Sequence, residues 1–184
     1  MEVVALGLLF SLYLTIRYFL VDHDTLADKD RKRFRSGIEL INSRKFDEAH
    51  RFFDDVVRQY PKSAVAYAYR GKCHLVQENY YSAIYDLTQA INLDNTLAEC
   101  YLDRGVAYYN TQEFQLAFRE FDKAVWHFRD EKPDAYRWRA LARIQFRQLP
   151  QAENDLRRAV TLGDENSFNI LRQPPFTRPV FQRK

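Results

Sequence analysis

The chain has 184 residues, a length for one domain or one domain plus an appendage. Its 46% apolar and 29% charged residues are an ordinary globular balance, and 28 Lys+Arg against 25 Asp+Glu leave +3, too even to imply binding to nucleic acid or another polyanion. Five Gly and six Pro exclude a collagen-like or Pro/Gly-rich disordered chain, and two Cys exclude a disulfide scaffold and a four-Cys zinc site.

Val3 to Val21 is an apolar run broken by one charge, Arg17. As a helix at ~1.5 Å per residue it spans about 28 Å, close to the ~30 Å of a bilayer's hydrocarbon. Arg17 lies one turn from the end, where its long side chain snorkels to the interface, and Tyr13 and Tyr18 suit an interfacial belt. Three readings fit: a single-pass anchor, a cleaved signal peptide, and a helix buried against a partner. The anchor is preferred. A signal peptide needs a basic start and a small-residue cleavage site, and here only Glu2 precedes the run. A transmembrane anchor is therefore predicted over 1–22, with the membrane crossed by residues 3–21, and a juxtamembrane linker over 23–29. Lys29, Arg31, Lys32, Arg33 and Arg35 follow the run, so the positive-inside rule predicts a cytoplasmic C-terminal domain. A bacterial inner membrane fits, and a mitochondrial membrane is the alternative.

The next signal is a repeat. Gly37, Gly71 and Gly105 are spaced by 34, as are Ala49, Ala83 and Ala117; Ala152 follows at 35, which marks a one-residue insertion. Tyr67, Tyr101 and Tyr136 stand four residues before the small residue of their unit, and Phe53, Leu87, Phe121 and Leu156 four after each Ala. Apolar residues recur at three- and four-residue steps, the pattern of two amphipathic helices per unit. The helices are joined by polar turns such as Gln77-Glu78-Asn79. Four units follow, at 30–63, 64–97, 98–132 and 133–166. Beyond them, 167–184 reads as a short cap, with Phe168, Ile170 and Leu171 covering the fourth unit, and an extended basic tail holding Arg172, Arg178, Arg183 and Lys184 without an acid.

No catalytic constellation appears. His23, His50, His74 and His127 are scattered, and no Gly-rich phosphate loop or metalloprotease motif is present. No catalytic residue, cofactor or metal site is predicted. Cys73 and Cys100 read as small packing residues and His74 as a packed interface histidine. Asp54-Asp55 and Asp130-Glu131 read as solvated faces.

These repeats resemble the tetratricopeptide repeat (TPR) family. The family pattern has an aromatic at position 4, Leu at 7, Gly or Ala at 8, Tyr at 11, Ala at 20, Phe at 24, Ala at 27 and Pro at 32. The departures are specific: position 7 is Ser36, Arg70, Arg104 and Arg139, never Leu, and the first unit has Arg33 in place of its aromatic. The resemblance implies an all-α fold, an α-solenoid of about four TPR-like hairpins after one N-terminal transmembrane helix, whose concave wall is the row of first helices. It implies that positions 2, 5, 6, 9, 12 and 13 face that wall. The lining picked out is Phe34, Arg35 and Ile38; Tyr69 and Lys72; Glu99, Asp103, Val106 and Tyr109; and Arg137, Trp138 and Leu141. Members that hold the C-terminal carboxylates of heat-shock chaperones use a basic clamp. At the clamp positions this chain has Phe34, Ile38, Lys72, Glu99 and Asp103, so that clamp is disfavoured on charge. The work implied is protein–protein interaction: a membrane-anchored scaffold whose groove recruits a peptide or helix of a client. The alternative is a structural or assembly subunit of a larger membrane complex, with Arg17 as its contact inside the bilayer.

Overall fold

The computed structural model describes residue 7, residues 10–17 and residues 24–177. Among the described residues the chain is all-α. Residues 10–17 are helical, and ten helices follow: α1 (Leu26–Arg33), α2 (Arg35–Asn42), α3 (Phe46–Gln59), α4 (Ala64–Val76), α5 (Tyr80–Leu93), α6 (Ala98–Asn110), α7 (Phe114–Phe128), α8 (Pro133–Gln145), α9 (Leu149–Thr161) and α10 (Glu165–Leu171). Helices α4/α5, α6/α7 and α8/α9 are antiparallel hairpins stacked side by side. The first hairpin has a two-piece first helix: α2 packs on α3, while α1 meets α2 and α4. The break falls at Phe34, yet Phe34 N–H still donates to Asp30 O at 2.9 Å and Ile38 N–H to Phe34 O at 3.1 Å. A capping box at Thr25 and Asp28 starts α1.

The spacing of small residues is the hairpin contact itself. Ala49, Ala83, Ala117 and Ala152 are fully buried. A methyl group added at Gly71 would lie 2.9 Å from Leu87 Cγ, and one at Gly105 would lie 2.5 Å from Phe121 Cε1. The helices therefore close to a distance that no larger residue permits.

The departure at position 7 has a structural cause. Arg70 grips Asp86 on α5 through Nε and Nη2 (2.7 and 2.8 Å) and reaches back to Asp54 on α3 through Nη1 (2.9 Å). Arg104 repeats this with Glu120 (3.0 and 2.6 Å) and Thr88 (2.9 Å), and Arg139 with Asp155 (3.0 and 2.7 Å) and Asp122 (2.7 Å). Asp86, Glu120 and Asp155 are buried. Each arginine thus closes its own hairpin and ties it to the one before. Among the described residues no hairpin precedes the first unit, and there Ser36 and Phe52 replace the arginine and the acid. Asp55 and Glu131 are exposed, as read; Asp54 and Asp130 also keep part of their surface in solvent but hold partners: Asp54 holds Arg70 and Arg58, and Asp130 accepts from Tyr136 Oη at 2.5 Å and Arg158 Nε at 3.1 Å.

The cap α10 starts at Asp164, whose carboxylate accepts from Ser167 N–H at 2.9 Å. Ile170, Leu171 and Phe176 pack against the buried Ala140, Ala152 and Leu156. Phe168 does not join them; it is 49% exposed, because the cap begins earlier than 167 and turns this ring outward. Among the described residues no helix is long and apolar enough to cross a membrane. Much of the predicted span 3–21, with Tyr18, lies outside the described residues, as do residues 178–184 of the tail.

Candidate functional site

The first helices of units 1–3 enclose a concavity of about 180 Å³. Ile38 and Ile41 come from α2, Val65, Ala68, Tyr69 and Lys72 from α4, and Glu99, Cys100 and Asp103 from α6; Leu97, Asn42, Arg31 and Lys132 complete the rim. Five of the predicted lining residues meet here: Ile38, Tyr69, Lys72, Glu99 and Asp103. Tyr69 presents one edge to the groove while its ring stacks on the buried Phe53 (centroids 5.2 Å, planes 19° apart).

The remaining predicted positions lie elsewhere. Phe34 is only 2% exposed and packs on Tyr60 (5.6 Å), because the helix break turns it inward. Arg35 is exposed and bonded to Glu39 at 2.8 Å. Arg137 is held in ion pairs with Asp134 (2.7 Å) and with the cap residue Asp164, so it braces α10 instead of facing a ligand. Trp138 stacks on the buried Phe121 (5.8 Å) and meets Tyr109 edge-on (5.5 Å), and Tyr109 Oη accepts from Gln145 Nε2 at 3.0 Å. Val106 and Leu141 are half-buried and outside the concavity. The groove is open over units 1–3 and closed by aromatic packing towards unit 4. Arg31, Ile41, Asn42, Val65 and Ala68 also line the concavity; each occupies one of the six wall positions, so the repeat register carried the signal for them although the predicted lining left them out. Leu97, Cys100 and Lys132 lie off those positions and carry no sequence signal.

The charges of the groove are not equal in availability. Arg31 is engaged by Asp28 at 3.2 Å, and the Lys132 ammonium sits 5.7 Å over the Phe128 ring. Lys72, Glu99 and Asp103 make no hydrogen bond or ion pair among the described residues. Burial pushes the Asp103 carboxyl above its ordinary range; Lys72 and Lys132 oppose the rise and Glu99 adds to it. Burial pushes the Cys73 thiol up to about 12 and the Cys100 thiol higher still, so both free cysteines are protonated, unreactive packing groups.

A second concavity lies between α3, α4 and α5. His50 and His74 meet there, Nε2 to Nε2 at 3.4 Å, beside Asp54, Arg70 and Asp86, with Tyr81 and Tyr85 at the mouth. His74 is the packed interface residue its repeat position predicts. Among the described residues, no group of three His, Cys, Asp or Glu is placed to hold a metal ion.

Residues 34–96 match the family model described as tetratricopeptide repeat. The Hsp70-Hsp90 organizing protein of Triticum aestivum is 26% identical over 100 residues, 54% of this chain and 17% of that protein. The SGT1 homolog of Oryza sativa subsp. japonica is 32% identical over 72 residues, 39% of this chain and 20% of that protein. The matches thus cover a fifth or less of these relatives. Among solved structures, the first TPR of Spaghetti (RPAP3), bound to an HSP90 peptide, has a TM-score of 0.57 and 26% identity, covering 60% of this chain and 88% of that one. MamA from Desulfovibrio magneticus RS-1 shares the fold, with a TM-score of 0.63 and 19% identity over 70% of this chain and 72% of that one. Residues 34–96 thus match the tetratricopeptide repeat, and the hairpins after them repeat the same geometry.

Proposed function

We propose that the chain is a membrane-anchored scaffold without catalytic activity, and that its groove receives a peptide or helix of a client protein. The observation that carries this reading is the concavity over units 1–3, where an apolar floor adjoins charged groups without partners. The anchor rests on the apolar run from residue 3 to residue 21. It draws support from the helical residues 10–17, where Phe10, Leu12, Tyr13, Leu14 and Ile16 are all about half exposed or more. So many exposed apolar side chains on one short helix call for an apolar surrounding. Arg17 is exposed there, with Nη1 3.5 Å from Tyr13 Oη. In this reading the repeats face the cytoplasm of a bacterial cell, with a mitochondrial membrane as the alternative.

A second reading, assembly subunit of a membrane complex, is favoured by one feature: Tyr81, Tyr85 and Trp126 are 77%, 61% and 67% exposed on the second helices of units 2 and 3. Aromatic residues are the usual anchors of protein interfaces.

Co-purification from gently solubilised membranes separates the two. The scaffold reading expects substoichiometric soluble proteins that disappear with Ala68→Glu plus Lys72→Glu, while circular dichroism stays unchanged. A stoichiometric, salt-resistant set of membrane proteins, lost instead with Tyr81→Ser plus Trp126→Ser, would replace it with the assembly subunit. Recovery of the chain in the soluble fraction would remove the anchor.

A further inference from the structure

We infer that the groove selects a basic side chain, Lys or Arg, of its client segment, and seats it against Asp103 and Glu99. This rests on the groove being the binding site.

Five ionic side chains line the concavity, and by formal charge they sum to +1. Two of the three cations already have a contact: Arg31 pairs with Asp28 at 3.2 Å, and Lys132, which keeps its charge at the exposed rim, sits 5.7 Å over the Phe128 ring. The groups left without a partner are one ammonium, Lys72, and two carboxylates, Glu99 and Asp103, so open acceptors outnumber open donors. Glu99 and Asp103 stand four residues apart on α6, hence one above the other on a single face. Lys72, on the neighbouring helix α4, forms no ion pair with either, although of the cations it acts most strongly on Asp103. Asp103 is thus a partly shielded carboxylate with its hydrogen-bonding capacity unfilled, and burial already disfavours its charged form. An incoming ammonium or guanidinium fills that capacity with charge-assisted hydrogen bonds. A client carboxylate meets two like charges within the same concavity, and of the cations there only Lys72 has no contact to leave. The apolar floor, Ile38, Ile41 and Val65, takes the aliphatic stem of a long basic side chain as readily as its head is held.

The test uses the full chain in detergent micelles and a positional-scanning library of acetylated, amidated nonapeptides, together with the same library bearing free C-terminal carboxylates. Lys and Arg should be enriched over Glu at one fixed position by roughly tenfold, the gain of one charge-assisted contact of about 1.4 kcal/mol. Asp103→Asn and the exposed, fold-neutral Glu99→Gln should each reduce that preference, and Lys72→Gln should leave or raise it. Enrichment of Glu, or of the free carboxylate, that vanishes with Lys72→Gln would overturn the inference and leave the groove reading intact. Saturable binding without any charge preference would also overturn it. No saturable binding by either library would overturn both.

Discussion

Arg70, Arg104 and Arg139 stand where the repeat pattern expects leucine, and each does with hydrogen bonds what leucine does with area. Its planar fork takes a buried carboxylate of its own hairpin in two bonds and spends a third bond on the preceding hairpin. That geometry is open to arginine and closed to lysine. Beside Arg70 the same buried Asp86 also faces His74 at 3.7 Å, and His74 faces His50. Burial lowers the affinity of His74 for a proton, His50 lowers it further, Asp86 and Asp54 oppose the shift and Arg70 adds to it. Since the folded chain protonates His74 at a lower pH than the unfolded chain, where histidine titrates near 6.5, the unfolded state binds the extra proton first on acidification. The contribution of this site is therefore complete above about pH 6.5 and declines as pH falls below it. Urea melts at pH 7.5 and 5.5 should show a lower midpoint at the acid end, and His74→Gln should narrow the gap between them. An unchanged gap would assign the acid sensitivity elsewhere.

At the scale of the helix, the four hairpin turns share one construction. Arg44, Glu78, Gln112 and Arg147 occupy the same repeat position and have φ of 59°, 61°, 65° and 57°. The following N–H reaches back to the last turn of the first helix: Lys45 to Leu40 at 2.9 Å, Asn79 to His74 at 2.9 Å, Glu113 to Tyr108 at 2.8 Å, Gln148 to Arg143 at 3.0 Å. This is a Schellman ending with a side chain where glycine is usual. Gln112→Gly and Arg147→Gly should each raise stability by about 0.5 kcal/mol, relief of left-handed strain outweighing the freer unfolded chain, in thermal or urea melts. A loss in both would mean that the side chains themselves hold the turns. The helices were legible because the repeat fixes Gly71 opposite Leu87 and Gly105 opposite Phe121, and packing at that distance leaves one solution. The turns were legible as polar stretches, but their shared left-handed residue was not, since neither Glu78 nor Gln112 signals it. The groove was half legible. A wall position fixes the face a residue is on, and so found Ile38, Tyr69, Lys72, Glu99 and Asp103. It does not say which neighbour takes the side chain, and so it misplaced Arg137, drawn to Asp164, and Trp138, drawn to Phe121. Asp54 and Asp130 show the same limit: each has an arginine partner, Arg70 and Arg158, that stands 16 and 28 residues away.

Across the whole molecule, each hairpin touches only its neighbours, so the stability of the array is a sum of hairpins and interfaces. The three arginines are not equal parts of that sum. Arg104 is the central link, and its buried partner Glu120 has only Lys123 besides, a lysine 53% exposed at 3.1 Å. Arg139 is nearer the end, and its partner Asp155 keeps Arg143 at 2.8 Å if Arg139 is lost. Arg104→Leu therefore leaves a buried carboxylate in the middle of the array with one solvent-exposed lysine as its partner, a cost of about 3 kcal/mol. Arg139→Leu removes the tie to Asp122 across an interface but leaves Asp155 paired. Hydrogen exchange read by mass spectrometry should separate them. Arg104→Leu should lower protection throughout α4–α7 and the global midpoint with it. Arg139→Leu should speed exchange in α8–α10 while α4–α7 keep their protection, because opening an end hairpin breaks one interface and opening a central one breaks two. Equal loss of protection along the chain for both substitutions would show that the hairpins unfold as a single unit, and that the arginines act on the whole array instead of on the interfaces they bridge.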